Sequence, residues 1–286
     1  KRETADYRVK KLIEKKIITG FAPFINFKML GYSFFEIFLL FDEADDTKRK
    51  DLINKLVNLP SVMNVIEYND RWDVKVTILA KDIEEFDAIN EELQRILGKK
   101  VLEKERLALL SEYAEISASE LFQPGKKVFE SKAKKKENLK MDEKDRMILK
   151  CLSEDCRQST YQIADKIKMS PDGVGLRIKK MVESGVIEKF ATWYDNSKFP
   201  LYWHTFAAKL NSFDQTTENK IKNLISENPK IKSARKTLGN WDILFSIVAE
   251  SQKEIHKSVK EIRNILSGSM KNYQTWLAYK EIYFTP

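Results

Sequence analysis

Residues 177–190, RIKKMVESGVIEKF, repeat residues 8–21, RVKKLIEKKIITGF, at an offset of 169. Arg8, Lys10, Lys11, Glu14, Ile18 and Phe21 fall on Arg177, Lys179, Lys180, Glu183, Ile187 and Phe190, all identical. The same offset, without a gap, carries Pro60 onto Pro229, Trp72 onto Trp241, Asp73 onto Asp242 and Ile96-Leu97 onto Ile265-Leu266. Between residues 7–98 and 176–267, 19 of 92 positions are identical. An ungapped match of that length means that one structural unit occurs twice, so the fold has to be read as a pair.

The second copy carries the clearer punctuation. Leu201–Leu210 reads as a strand, and Thr217–Glu227 as an amphipathic helix ended by Asn228-Pro229. Ile231–Leu238 and Trp241–Ala249 read as strands on either side of a Gly239-Asn240 turn. Gln252–Leu266 has helical spacing in Ile255, Val259, Ile262 and Ile265-Leu266, and Tyr273–Phe284 closes the unit as a strand. The order βαββαβ is the ferredoxin-like split unit, one antiparallel sheet with both helices on one face. Phe34, Phe35, Ile37, Phe38, Leu39 and Leu40 are apolar on both strand faces, so the other sheet face needs a cover. A partner sheet supplied by the other copy, packed face to face, is the expected one. Phe34–Phe41 would contribute to it from the first copy, and Trp203, Phe206 and Ala208, or their alternates, from the second.

Ahead of that unit lie three short helices. Asp142–Glu154 places Met147, Ile148, Cys151 and Leu152 at helical spacing, and Thr160–Ile167 turns Ile163, Ala164 and Ile167 inward. Ser170-Pro171 is an N-cap followed by a first-turn proline, and Gly185 suits the helix end. In that third helix Val174, Ile178, Met181 and Val182 form the core stripe, while Asp172, Gly173, Leu176, Lys179 and Lys180 lie outward with Arg177 on a flank. A basic third helix is the helix-turn-helix pattern, in which it enters the major groove. In the first copy Lys1 falls opposite Ser170, so that arm is incomplete and the native chain is expected to carry roughly 30 further residues in front of it, two helices such as Asp142–Ile167.

Residues 142–190 resemble the winged helix-turn-helix of the leucine-responsive and asparagine-synthesis (Lrp/AsnC) regulators. The βαββαβ units, with Met29-Leu30-Gly31-Tyr32 in copy one and Gly239-Asn240-Trp241-Asp242 in copy two, resemble their effector domain. The fold class expected is therefore α+β, a tandem of winged helix-turn-helix and ferredoxin-like effector-type domains. Its divisions are 1–20 (remnant of the first arm), 21–122 (first βαββαβ domain), 123–140 (linker), 141–193 (second arm) and 194–286 (second βαββαβ domain). The resemblance implies a DNA-binding transcription regulator, in which duplex DNA would meet Ser170, Asp172, Gly173, Leu176, Arg177, Lys179 and Lys180. The first copy's counterparts are Arg2, Thr4, Arg8, Lys10 and Lys11. It also implies an amino-acid-like effector near Gly239, Asn240 and Asp242, with Asp73 in the first copy. Family recognition helices often carry arginine where this chain has Leu176 and Tyr7, and Asp172 and Glu3 bring acid near the DNA side.

Composition sets the class. With 286 residues, 42% hydrophobic and 33% charged, the chain has room for two or more packed domains. Its net charge of +8 favours a polyanionic partner, and residues 126–140 hold seven lysines against two glutamates, a basic linker. Phe34–Phe41 is the longest apolar stretch and is interrupted by Glu36, too short for a membrane span. Cys151 and Cys156 lack metal spacing and read as reduced core thiols of a cytoplasmic protein. His204 and His256 have no shared motif partner, and no phosphate-binding loop, dinucleotide fingerprint or metal cluster occurs. Neither catalysis nor a cofactor nor a metal is expected. Two alternatives stand: an architectural protein coating DNA by charge, and an enzyme like the siroheme decarboxylases. The arginine-rich segment after the third helix in those enzymes has no counterpart in residues 187–190 or 18–21. Self-association through the effector-type domains completes the expected partners.

Overall fold

The computed structural model describes residues 2–42, 45–115 and 141–282; the linker 123–140 lies outside them. In chain order the first half contains α1 (Arg2–Glu14), β1 (Ile18–Ile25), β2 (Ser33–Phe41), α2 (Asp46–Val57), β3 (Val62–Tyr68), β4 (Val74–Ala80), α3 (Ile83–Leu97) and β5 (Val101–Glu115). The second contains α4 (Glu143–Glu154), α5 (Thr160–Ile167), α6 (Pro171–Ser184), β6 (Ile187–Tyr194), β7 (Tyr202–Leu210), α7 (Gln215–Glu227), β8 (Ile231–Leu238), β9 (Ile243–Ala249), α8 (Gln252–Ile265) and β10 (Met270–Ile282). The elements form two compact units, one holding the described residues up to Tyr32 and from 141 to Lys198, the other those from Ser33 and from Phe199. No helix among the described residues is long and apolar enough to cross a membrane.

The first unit is the helix-turn-helix arm. Reciprocal side-chain to backbone bonds cap α4 (Asp142 with Asp145) and α5 (Ser159 with Gln162). Ser170 caps α6 by accepting from the Gly173 amide, Pro171 opens the helix, and Gly185 ends it at φ +87°. Ile148, Leu152, Ile163, Ile167, Val174 and Met181 share one buried core. Val182, expected in that stripe, is instead 43% exposed, so the inward row is Val174, Ile178 and Met181. The first copy contributes to this arm: β1 pairs antiparallel with β6, and Ile25, Met29 and Leu30 pack on the core. The Cys156 amide also donates to the Phe21 carbonyl at 2.8 Å. The divisions drawn at residues 20 and 193 therefore move to Tyr32 and Lys198, because hydrogen bonding across the wings keeps Phe21–Ile25 with the arm.

In the second unit each copy folds as βαββαβ, and the eight strands close into a barrel of order β10-β3-β4-β2-β5-β8-β9-β7. Two joints link the copies. The last strand of the first copy, β5, pairs with β8, and the last strand of the second, β10, pairs with β3. The helix-free faces of the two sheets cover each other inside the barrel, and the edge-to-edge pairing at the two joints, which the sequence did not lead one to expect, satisfies strand edges that would otherwise present unpaired amides and carbonyls.

Closure assigns the two faces of each strand. Phe35, Ile37, Leu39 and Phe41 face α2 and α3 in one core, with Leu52, Leu56, Phe86 and Leu93. Phe206, Ala208 and Leu210 lie in the equivalent helix-side core with Ile221 and Ile262. The barrel interior takes the alternates: Phe38, Ile66, Tyr68, Trp72 and Leu107 from the first copy meet Ala207, Trp241, Leu244, Trp276 and Ala278 from the second. Of the β7 residues expected at this contact, Trp203 packs against the interior, whereas Phe206 and Ala208 lie on the helix side and their alternate Ala207 faces inward, as strand alternation requires. Trp276 lies between the copies, with ring centroids 4.9 Å from Phe38 and 5.8 Å from Trp241.

A charged trio also sits inside. The Lys75 ammonium and the Arg235 guanidinium both donate to Oε1 of Glu36, at 2.8 and 2.6 Å. Glu36 is 1% exposed. Burial pushes its carboxyl up, but Arg235 and Lys75 outweigh burial and hold it below the ordinary value. Its contribution to stability is thus complete above about pH 4.5 and is lost as the pH falls through the lower folded value. Glu36→Gln is expected to cost about 3–5 kcal/mol, because buried Lys75 and partly buried Arg235 lose their counter-charge. It should also flatten the acid side of the stability profile measured by urea unfolding. Replacing all three residues with methionine should cost far less; an equal loss would show that packing, not charge, sets the effect.

Candidate nucleic-acid interface

The outer face of α6 collects the residues expected to meet DNA. Asp172 is exposed in the first turn, where a carboxylate favours the helix dipole. Gly173 has a local reason: a Cβ there would lie 2.9 Å from both Met169 Cε and Ser170 Oγ. Leu176, Lys179 and Lys180 point to solvent, with Lys179 3.9 Å from Glu183. Arg177 does not join them. Its Nη1 donates to Asp142 and Asp145 at 2.7 Å each, and these bonds raise its pKa. Expected as a phosphate contact, it instead ties α6 to the start of α4, so a carboxylate pair competes with any phosphate for it.

In the first copy Thr4, Arg8, Lys10 and Lys11 are exposed on α1, and the Lys11 ammonium lies 5.1 Å from the centre of the Tyr7 ring. The side chain of Arg2 is outside the described residues. Leu12 is exposed where its counterpart Met181 is buried, so α1 lacks the packed footing of α6 among the described residues. The two helices are nonetheless related by the wings. Ala22 pairs with Ala191, its own equivalent at the offset of 169, while Phe21 pairs with Thr192 and Pro23 with Phe190. The register of β1 and β6 is therefore related by a local twofold axis, with α1 preceding one strand and α6 the other.

Sequence reasoning missed Tyr161. It is 74% exposed at the second position of α5, outside the inward spacing of Ile163, Ala164 and Ile167. An aromatic residue off the core stripe of the helix preceding the basic one was the available signal.

The turn expected to hold an effector is occupied by the protein's own groups. Asp242 accepts from the Leu210 amide at 2.7 Å and from the Lys209 ammonium at 3.1 Å. Asp73 accepts from the Phe41 amide at 2.6 Å and lies 2.9 Å from Arg49. Phe41 and Leu210 are equivalent positions, so both aspartates perform the same strand-tying task. The Gly239 carbonyl accepts from Lys209 at 2.9 Å, and Asn240 hydrogen-bonds the Glu105 carboxyl, whose pKa is raised by burial. Gly239 lies at φ +146°, and a Cβ would meet Leu107 Cδ2 at 2.6 Å and the Arg106 carbonyl at 2.7 Å. Elsewhere, His204 is partly buried on β7, where burial lowers its pKa, and no metal-ligand cluster occurs among the described residues.

Residues 141–188 match the family described as winged helix-turn-helix DNA-binding. The transcriptional regulator AzlB of Bacillus subtilis is 29% identical over 131 residues, which cover 46% of this chain and 79% of that protein. The HTH-type transcriptional regulator LrpB of Bacillus subtilis is 26% identical over 147 residues, covering 50% of this chain and 92% of LrpB. Matches to about half the chain suit one copy of a duplicated unit. The homologues are thus HTH-type transcriptional regulators, and the resemblance to the Lrp/AsnC family holds. A solved structure of the siroheme decarboxylase NirDL with an iron-uroporphyrin III analogue is similar over 98% of this chain and 81% of that one. Its TM-score is 0.65 at 13% identity, a likeness of fold alone.

Gly239→Ala is expected to destabilise the barrel by roughly 1–3 kcal/mol with no ligand present, since the added methyl meets the Arg106 carbonyl. Urea unfolding reads the loss; an unchanged midpoint would mean that the glycine is not needed for this close approach.

Proposed function

We propose that this chain is a DNA-binding transcription regulator of Lrp/AsnC type whose two βαββαβ units act as an intrachain pseudo-dimer. The observation that carries the reading is the exposed Lys179 and Lys180 on an α6 whose opposite side is anchored in a three-helix core. The twofold through Ala22 and Ala191 supports it, because dimeric readers present two helices to two half-sites. The barrel supports the pseudo-dimer: each copy lends its last strand to the other, so one polypeptide contains the interface that single-copy chains would need two to build.

The lysines would supply phosphate contacts that position the helix without carrying sequence information. A small amino-acid-like effector enters the proposal by substitution: Asp242 already binds one ammonium, that of Lys209, and the ammonium of a free amino acid would take its place. The architectural reading predicts no preference over random DNA at fixed salt, and the decarboxylase reading predicts an absorption shift on titration with an iron tetrapyrrole. Either result would displace the regulator.

Replacing both Lys179 and Lys180 with alanine should weaken binding to all duplexes alike and lower the salt slope by about 2. An unchanged slope would exclude docking through α6. Cysteines at Ser111 and Lys236, paired across β5 and β8, should cross-link on oxidation into a monomer-sized product. Dimer-sized product alone would overturn the intrachain pairing.

A further inference from the structure

Leu176 occupies the outward face of α6, where it is 56% exposed. One exposed leucine needs no explanation, but its neighbours are unusual. Gly175, before it, lies within the helix and costs about 1 kcal/mol relative to alanine. Unlike Gly173, it has no close neighbour, since a Cβ there would meet only Thr160 Cγ2, at an ordinary 3.8 Å. Next to Thr160 stands Tyr161, the most exposed large hydrophobic side chain among the described residues. Leu176 and Tyr161 are thus the chain neighbours of Gly175 and Thr160, at the place where α6 approaches α5. Lys179 and Lys180 follow Leu176 at the i+3 and i+4 positions, on the same helix face.

We infer that Leu176, assisted by Tyr161, is a specificity-determining contact that selects thymine through its C5 methyl group. The inference rests on the proposed function and names what that interface reads. In the major groove every base edge offers donors or acceptors, and the thymine methyl is the apolar feature. A leucine has no polar atom to satisfy the cytosine amino group or the guanine O6 and N7, so those edges would be desolvated without a partner. The flanking ammoniums suit the phosphates on either side, and the glycine lets the backbone approach closely.

The test uses the full chain and a duplex selected by it from random sequence. Each thymidine is then replaced singly by deoxyuridine, which removes only the methyl group. At one or two positions per half-site the affinity should fall about fourfold, the factor that one buried methyl is worth. Leu176→Ala, which removes no buried side chain and should melt like the parent, is expected to bind both duplexes equally with its salt slope unchanged. Tyr161→Ala should reduce the discrimination in part. Selective binding that tolerates deoxyuridine everywhere, or discrimination that survives Leu176→Ala, overturns this inference and leaves the regulator standing. Absence of any preference over random DNA overturns both.

Discussion

Inside the barrel the Glu36 carboxylate from β2 takes one hydrogen bond from Lys75 on β4 and another from Arg235 on β8. Two of these residues belong to the first copy and one to the second. Neither Glu36 nor Lys75 would be tolerated alone in so dry a place, since an isolated buried charge costs several kcal/mol. Lys75 cannot settle the matter by itself: its own pKa is lowered by burial and by Arg235, against the pull of Glu36. The carboxylate stays ionised because both cations are present, and both are present only when β5 and β8 are joined. Further bonds cross between the copies in the barrel, among them Tyr68 to Thr205 at 2.8 Å and Asn64 to Glu281 at 2.9 Å. The pairing is therefore specified by polar groups as well as by the tryptophan-rich apolar end of the interior.

The repeat offset shows why this interior favours unlike halves. Glu36 is equivalent to Thr205, Lys75 to Leu244 and Arg235 to Ile66. A symmetric pair of second-copy units would bury Arg235 opposite another Thr205, with no carboxylate in reach. A symmetric pair of first-copy units would place Ile66 where Arg235 belongs, leaving each glutamate with a single lysine. Each wrong pairing thus leaves charges without their full set of partners, a penalty that discriminates more sharply than loss of shape alone. Once the two copies share a chain, one can carry the acid and the other the guanidinium.

Legibility in the sequence followed the range of the interactions involved. The duplication, the βαββαβ order and the ends of α5 and α6 were readable because offset identities, N-caps and periodicity are local signals. The phase of β7 was not: Trp203, Phe206, Ala207 and Ala208 offer apolar candidates for both faces, so alternation gives no answer until the strand is paired. Arg177 looked like a phosphate contact because its partners Asp142 and Asp145 lie more than thirty residues away. Gly239 looked like a ligand turn for a similar reason, since what excludes a side chain there is the backbone at Arg106, in the other copy. The division at residue 20 cuts through β1 because a two-stranded ribbon carries no sign in either strand of which partner it will take.

The arm shows what the second copy gains from the first. Ile25, Met29 and Leu30 close the side of the core formed by α4, α5 and α6, and the Arg157 guanidinium lies 3.8 Å from the centre of the Phe21 ring. A helix that reads base edges has to be held to within a fraction of an ångström, and that precision comes from the elements behind it. For α6 they are α4, α5, the Arg177 carboxylate clamp and the borrowed wing. Behind α1 the described residues supply fewer contacts, and Leu12 stays in solvent. The footing of α6, by contrast, comes from both copies, since the wing and the Ile25, Met29 and Leu30 side chains that complete its core belong to the first.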